Sequence, residues 1–446
     1  MEKREKLGSR LGFILLSAGC AIGCGNVWKF PWMCGQYGGG AFLLVYFVFL
    51  IILGIPMLSM EFALGRSAQV SPVKMYHKFG EKGRKFRFHG YMSLIGSIAL
   101  MAFYTVVAGW IMYYLVKFAT GTYENLGFGS MISNPTINVS YMAVVVIVSF
   151  TILMFDISKG LENITKKMML VLFALMIVLS ISSMFMSGAA EGLKFYLIPD
   201  FGKINGDVIV AAMNQAFFSL SVGMGSMAIF GSYIDKGRSL LGESITVASL
   251  DTLVAIMAGL IIFPSCYTFG IEPGAGPSLL FDTMAVVFSN MQAGRLFGTM
   301  FFAFMTFAAL STVLTVCENT VACVCELLGW KRRKACMVSC VVVFVLSLTT
   351  ALGYSVWHFE PFAEGSAWLD LWDFVVSSNF LPFGSVIIAF FCTSDKFGWG
   401  WDNFMAEVNT GKGIKVKNWM KPIFKYVAPL LALFIYIYGI ITFNYG

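Results

Sequence analysis

The chain has 446 residues, of which 58% are hydrophobic, 16% aromatic and only 12% charged. Soluble domains carry about 25% charged residues, and a mean hydropathy of +0.78 points the same way, which excludes a soluble enzyme, a nucleic-acid binder and a disordered chain. The net charge of +7, from 31 Lys and Arg against 24 Asp and Glu, fits basic loops at one membrane face better than an acidic partner.

A helix needs about 20 apolar residues to cross a bilayer. Reading between polar breaks gives about eleven such runs, placed in 11–34, 41–64, 90–117, 139–156, 166–187, 208–233, 244–270, 296–326, 336–353, 374–393 and 422–443. They are called spans 1 to 11 below. The first, from Leu11, is too long and wrongly flanked for a cleavable signal.

Short-loop Lys and Arg residues set orientation. Lys3, Arg4, Lys6 and Arg10 precede span 1, and Lys74, Lys78, Lys82, Arg84, Lys85 and Arg87 lie between spans 2 and 3. Lys166 and Lys167 flank span 5, and Lys331, Arg332, Arg333 and Lys334 separate spans 8 and 9. The loop before span 10 carries Glu360, Glu364 and Asp370 without a basic residue. The expectation is a cytoplasmic N-terminus and, with an odd span count, a C-terminus outside.

Cysteine and histidine patterns exclude some chemistry. The ten cysteines fall mostly in apolar runs, and the three histidines (His77, His89, His358) form no helical pair. Neither a disulfide framework nor a haem or zinc site is supported. Asn138-Val-Ser is a glycosylation-type triplet that carries no weight in a chain of bacterial appearance.

Two spans are interrupted. Span 1 reads LSAGCAIGCGN over 16–26, and span 6 reads FFSLSVGMGSM over 217–227. Glycine-rich breaks at corresponding positions of two halves point to a transporter's midplane site built from discontinuous helices. The echo of LSAG (16–19) in LSVG (220–223) fits an inverted repeat of spans 1–5 and 6–10. Close packing of small residues accounts for Gly19 and Gly23, but not for Gly25 beside Asn26 or for the serines of span 6. The fold class expected is an all-α polytopic membrane protein, a 5+5 inverted-repeat transporter with about eleven transmembrane helices, helices 1 and 6 broken. The repeats fall at 10–190 and 205–395, and helix 11 at 420–446, within one transporter domain.

Ionisable residues inside spans are costly and mark function by default. They are Lys29, Glu61, Asp251, Glu318, Glu326 and Asp373. Lys29 and Asp373 sit near the outer ends of spans 1 and 10, and Arg4 and Glu326 at the inner side, so opposite charges at opposite faces suggest two alternating gates. Snorkelling charges at the interface are the simpler alternative. Asp251 is deepest in its helix. A buried carboxylate needs a cation, a proton or a donor network, and Asn26, Ser219, Ser311 and Thr312 offer the oxygens a hard cation prefers.

These stretches resemble the neurotransmitter:sodium symporter family, which uses such broken helices. The matching segments are RLGFILLSAGCAIGCGNVWKFPW (10–32), GGGAFLLVY (38–46), GIPMLSMEFALGR (54–66), DISKGLE (156–162), NQAFFSLSVGMG (214–225), GAGPSLLF (274–281) and WLDLWDF (368–374). Bacterial eleven-span members with tyrosine, tryptophan or general hydrophobic amino-acid substrates are the nearest resemblance. It implies sodium-coupled symport into the cell across the bacterial inner (plasma) membrane, with two sodium ions and no organic cofactor. The partners are a small-molecule amino-acid substrate, Na+ and the lipid bilayer, with no nucleic acid.

The resemblance also implies residue roles. The first sodium site takes the Ala21 carbonyl, Asn26, Ser219, Asp251 and the substrate carboxylate. The second takes the carbonyls of Gly19, Ile22 and Ala308 with the hydroxyls of Ser311 and Thr312. Substrate contacts map to Cys20, Ala21, Cys24, Gly25, Leu100, Tyr104, Phe218, Ser219, Ser221, Met224, Thr312 and Val316. Tyr104 would donate to the substrate carboxylate, and Phe218 would lid the pocket. Lys29–Asp373 resembles the outer gate, and Arg4–Glu326 with Ser232 and Tyr233 the inner one.

The sequence departs from the family pattern in places. Lys29 replaces the usual arginine, trading a planar fork for a point charge. Leu7 stands where tryptophan is usual. Asp251 stands where many members have asparagine, and its fixed carboxylate implies chloride-independent transport. Met224 and Val316 replace larger residues, so the pocket should admit bulky, aromatic side chains. The competing readings are a sodium-independent or proton-coupled permease with Asp251 as proton carrier, and, from another class, a channel or amino-acid sensor. Neither selectivity rings nor a pore-lining repeat, nor a catalytic dyad, is present in the sequence.

Overall fold

A computed structural model describes residues 7–124, 126–272 and 279–442. Among the described residues the regular structure is helical apart from two isolated β-bridges, Gly39–Pro199 and Arg238–Lys412. Among the described residues nine helices are long and apolar enough to cross a membrane: Gly40–Ala68, Arg87–Thr120, Pro135–Leu153, Gly160–Ser183, Leu240–Phe269, Gly294–Leu328, Arg332–Gly353, Trp368–Thr393 and Asn418–Ile441. They are spans 2 to 5 and 7 to 11. Span 1 is the bent pair Arg10–Ala21 and Gly25–Gln36, kinked by 56°. Span 6 is divided into Gly206–Ser219 and Ser226–Gly231, each half too short to cross alone.

Several ends differ from the hydropathy reading for one physical reason. Helices run on through their polar caps, where apolar counting stops. Span 4 begins at Pro135, with Asn134 accepting the Ile137 N–H at 3.1 Å, the proline-at-N1 start that costs no helical bond. Span 10 begins at Trp368, ahead of Asp370 and Asp373.

Spans 3 and 8 pack against each other and form the central post. Of their most apolar stretches 83% and 78% lies inside protein, against 22% for span 11, which therefore lies at the periphery. The first half of span 1 leans on spans 5, 7 and 8, and the second half of span 6 lies along span 2. Both breaks thus sit against the post.

Surface helices pin the ends. Arg66, at the end of span 2, is fully buried. Its Nε pairs with Glu407 of the helix Trp401–Val408 at 2.6 Å, and its Nη atoms donate to the carbonyls of Arg238 and Glu407. At the start of span 1, Glu162 accepts from the Gly8 N–H (2.7 Å) and the Ser9 hydroxyl (3.0 Å), and Arg10 pairs with Glu243 at 2.9 Å.

Candidate functional site: two broken helices around buried oxygens

The break in span 1 starts at Ile22, which turns extended (φ −71, ψ 97) after the helix ends at Ala21. A helix end leaves backbone groups without intrahelical partners, and neighbouring spans supply them. The Cys24 N–H donates to the Tyr104 hydroxyl of span 3 at 2.8 Å, and Gln215 Nε2 of span 6 donates to the Gly25 carbonyl at 2.9 Å. Gly23 is required by crowding: a Cβ there would collide with Tyr104 Oη and Thr312 Oγ1.

The break in span 6 is held by Glu61. Its carboxylate accepts from the N–H groups of Gly223 (2.7 Å), Met227 (3.0 Å) and Ala228 (3.4 Å). It caps the N-terminus of the second half-helix, where orphan donors and the helix dipole favour negative charge. Gly223 has φ +100, and a Cβ on it would strike the Leu381 carbonyl of span 10. Ser221 takes φ +51, uncommon for a residue with a side chain.

Between the breaks lie the oxygens expected for a first sodium site. Asn26 Nδ2 donates to the Asp251 Oδ1 (2.8 Å) and to the Asp251 carbonyl (3.1 Å). That leaves Asn26 Oδ1 and Asp251 Oδ2 buried and without a hydrogen-bond partner among the described residues. Both residues are 0% exposed. Ser219 is buried nearby, with its hydroxyl 3.3 Å from the Tyr46 hydroxyl. Burying two such acceptors is expensive unless a cation or a donor meets them, and this set of oxygens suits a hard cation.

The second expected site converges on one atom. Thr312 Oγ1 lies 3.3 Å from the Gly19 carbonyl, 3.2 Å from that of Ile22 and 3.4 Å from that of Ala308. Ser311 Oγ donates to the Ala308 carbonyl at 2.9 Å. One hydroxyl proton satisfies one acceptor only, so the cluster holds more carbonyl oxygen than hydrogen and fits a cation joining span 1 to span 8. Among the described residues no group of three or more His, Cys, Asp or Glu is placed to bind a metal.

The residues expected to contact substrate line the same space. Ser221 Oγ donates to the Cys20 carbonyl at 3.4 Å, and a Cβ on Gly25 would stand 3.0 Å from the Phe218 ring. Leu100 and Val316 lie one helical turn from Tyr104 and Thr312, on the same faces of spans 3 and 8. Met224 packs against Gly96.

The gates are arranged differently from an ion-pair pattern. Lys29 Nζ lies over the Phe218 ring, 4.2 Å from its centroid, and Asp373 accepts from Ser377 at 2.6 Å. Lys29 and Asp373 are not among the ion pairs of the described residues. A compact ammonium on a flexible stem settles on an aromatic face. Arg4 lies outside the described residues. Glu326 accepts from the Ser71 N–H (2.9 Å) and hydroxyl (2.7 Å), and Ser232 donates to the Ile229 carbonyl at 2.6 Å.

Tyr233 donates to Glu318 at 2.7 Å, and Glu318 is gripped by Arg332 at 2.6 and 3.1 Å. The sequence marks Glu318 and Glu61 as costly charges without naming a partner for either, and it gives no part in the site to His89 or Arg66 and only an orienting one to Arg332. The only signal available was their cost.

The chain matches the model of the sodium:neurotransmitter symporter family over residues 4–126 and 122–445. It is 34% identical to the uncharacterised sodium-dependent transporter YhdH of Bacillus subtilis, over 87% of this chain and 88% of that one. It is 32% identical to an uncharacterised sodium-dependent transporter of Haemophilus influenzae, over 98% of each. The sodium- and chloride-dependent taurine transporter of Bos taurus is 24% identical over 99% of this chain and 79% of its own. Among solved structures, MhsT in complex with L-phenylalanine superposes with a TM-score of 0.88 at 35% identity, covering 98% of this chain and 100% of that one. Two broken helices around buried oxygens, on a scaffold shared along the whole chain, make this protein a multi-pass, sodium-dependent transporter, and it belongs to the sodium:neurotransmitter symporter family.

Proposed function

We propose that the protein carries a hydrophobic, aromatic L-amino acid into a bacterial cell together with sodium, by alternating access and without chloride. The carrying observation is the pair of partnerless oxygens, Asn26 Oδ1 and Asp251 Oδ2, beside the span 1 break. A sodium ion there is also in reach of a substrate carboxylate, which makes coupling direct. A second ion at Thr312 ties span 1 to span 8, so its departure frees span 1 to move. Moving one charge through 100 mV supplies about 2.3 kcal/mol. Two sodium sites, the repeats 10–190 and 205–395 with helix 420–446, a cytoplasmic N-terminus and an external C-terminus in the inner membrane belong to the same reading.

Three features support the substrate class. The small Cys20, Ala21 and Val316, with adaptable Met224, leave room for a ring. MhsT, the structural relative, was solved with phenylalanine. Asp251 supplies in place the negative charge that an anion would otherwise bring.

The test is uptake of labelled phenylalanine, tyrosine, tryptophan and leucine in proteoliposomes. The expected result is saturable, sodium-dependent uptake favouring the aromatic substrates, unchanged when gluconate replaces chloride. Sodium-independent uptake driven by a proton gradient would replace this reading with the permease, and collapse in gluconate would remove chloride independence.

A further inference from the structure

His89 lies on span 3, far in sequence from either break, and is 0% exposed. Its Nε2 is 2.9 Å from the Gly223 carbonyl, and its Nδ1 is 3.1 Å from the Tyr76 hydroxyl. A carbonyl only accepts, so Nε2 carries the proton and donates, and Tyr76 donates to Nδ1 of the neutral ring. Tyr76 packs edge-on against His89 with ring centroids 5.6 Å apart, and against Phe391 at 5.0 Å. The imidazole is therefore fixed in position and in tautomer.

Gly223 is held at both of its backbone polar groups. Its N–H is bound by Glu61 of span 2 and its carbonyl by His89 of span 3. Span 10 is shaped around the second bond: a Cβ on Gly384 would collide with the Gly223 carbonyl and stand 2.9 Å from His89 Nε2. The next residue is Met224, whose Sδ would stand 2.9 Å from a Cβ on Gly96 of span 3. Orienting the 223–224 peptide thus sets how Met224 is placed against span 3.

We infer that His89 is a positioning residue for the substrate site, setting the conformation of the unwound stretch 220–225 through the Gly223 carbonyl and so the placement of Met224. Unwound backbone has no helical ladder, so a single outside donor decides which way its carbonyl points. The role assigned to Met224 rests on the function proposed above, whereas the hold on residues 220–225 does not.

The test compares His89→Leu, His89→Gln and wild type, purified in detergent and reconstituted. The Gln amide returns an N–H donor near the position of Nε2, and Leu removes it. Backbone hydrogen exchange of residues 217–230 reads the hold directly. His89→Leu should exchange there about tenfold faster, as a buried carbonyl loses its donor, with span 7 unchanged, and His89→Gln should recover most of the protection. In uptake, KM for the aromatic amino acids should rise about tenfold in the Leu variant with kcat little changed, and fall back in the Gln variant. Unchanged exchange in the Leu variant, loss spread evenly over all helices, or no recovery with Gln would overturn the inference. If wild type transports no amino acid, the proposed function fails while the exchange comparison still decides the role of His89.

Discussion

Asn26 and Asp251 share one amide-to-carboxylate bond of 2.8 Å, and each keeps a buried side-chain oxygen without a hydrogen-bond partner among the described residues. The pairing fixes the two residues relative to each other. Span 1 contributes Asn26 at its resumption, and span 7 contributes Asp251 from the middle of an unbroken helix. An ion bound between them therefore reports the position of span 1 relative to a rigid neighbour.

Asp251→Asn should keep an oxygen for the Asn26 bond and lose the fixed charge. Sodium affinity should then fall by at least about tenfold, since hydrogen bonds and contacts to a charged group are worth about 1.5–3 kcal/mol. Chloride should partly restore it by bringing back the missing negative charge. The measurement is sodium-titrated amino-acid binding with chloride or gluconate as the anion, and equal curves in the two anions would count against the charge argument.

Thr312→Val removes one hydroxyl and preserves shape, at an atom within 3.4 Å of three carbonyls. The expected effect is a sodium requirement raised about tenfold and a loss of sigmoidal sodium dependence, the outcome if Thr312 holds one of the two proposed ions. Substrate affinity at saturating sodium should change far less, although Thr312 also borders the pocket. Uptake against sodium concentration checks this.

Glu61→Gln puts an amide where three backbone N–H groups converge. One of them, at least, then faces another donor. The cost is about 2–3 kcal/mol from charge-assisted bonds lost, read as a lower thermal unfolding midpoint in detergent. Uptake should fall as well, because the span 6 break loses its anchor.

The spans were legible because lipid imposes one simple demand, about 20 apolar residues at a time, and the breaks because glycine is conspicuous in a helix. Gly223 and Gly25 therefore mark the site from sequence. The groups that hold those breaks were not legible. Glu61 to Gly223 and His89 to Gly223 join a side chain to backbone across spans, and such contacts depend on helix rotation and depth, which hydropathy does not encode. Arg66 and Glu407, 341 residues apart, illustrate the same limit. The polar residues Asn26, Ser219, Ser311 and Thr312 stand out as candidate oxygens, but their grouping into two proposed sodium sites comes only from the resemblance, because Asn26 and Thr312 look locally like ordinary polar residues. At Asn138 the local triplet was uninformative: its side chain is buried and donates to the carbonyls of Met131, Ile132 and Asn134.

Asp395, in the loop after span 10, offers a pH readout away from the transport site. The Trp401 N–H, followed by Lys425 and Lys421, holds its carboxyl below the usual carboxylate range. A depressed folded pKa means stabilisation that is present above the unfolded value of about 3.9 and lost as pH falls through the folded one. Asp395→Asn should lack that acid-side component, so its unfolding midpoint should differ from wild type at neutral pH and converge with it once pH falls below the folded value. The effect is small because the group is exposed.

The final prediction concerns Glu318 and Arg332, which meet across the turn between spans 8 and 9 at 2.6 Å. Arg332 also donates from Nε to the Leu153 and Phe155 carbonyls, at 2.8 and 3.1 Å, so it ties span 4 to this corner. Removing one partner of such a pair leaves a buried charge unmatched, at a cost of about 3–5 kcal/mol. Arg332→Met should therefore lower the unfolding midpoint sharply. Glu318→Gln keeps an oxygen for Tyr233 but strands the guanidinium, and should cost less because Arg332 is 20% exposed and reaches water. The double variant should be more stable than Arg332→Met alone, since no unpaired carboxylate remains. Additive losses in this double-mutant cycle would show that the two charges are held by their backbone contacts and not by each other.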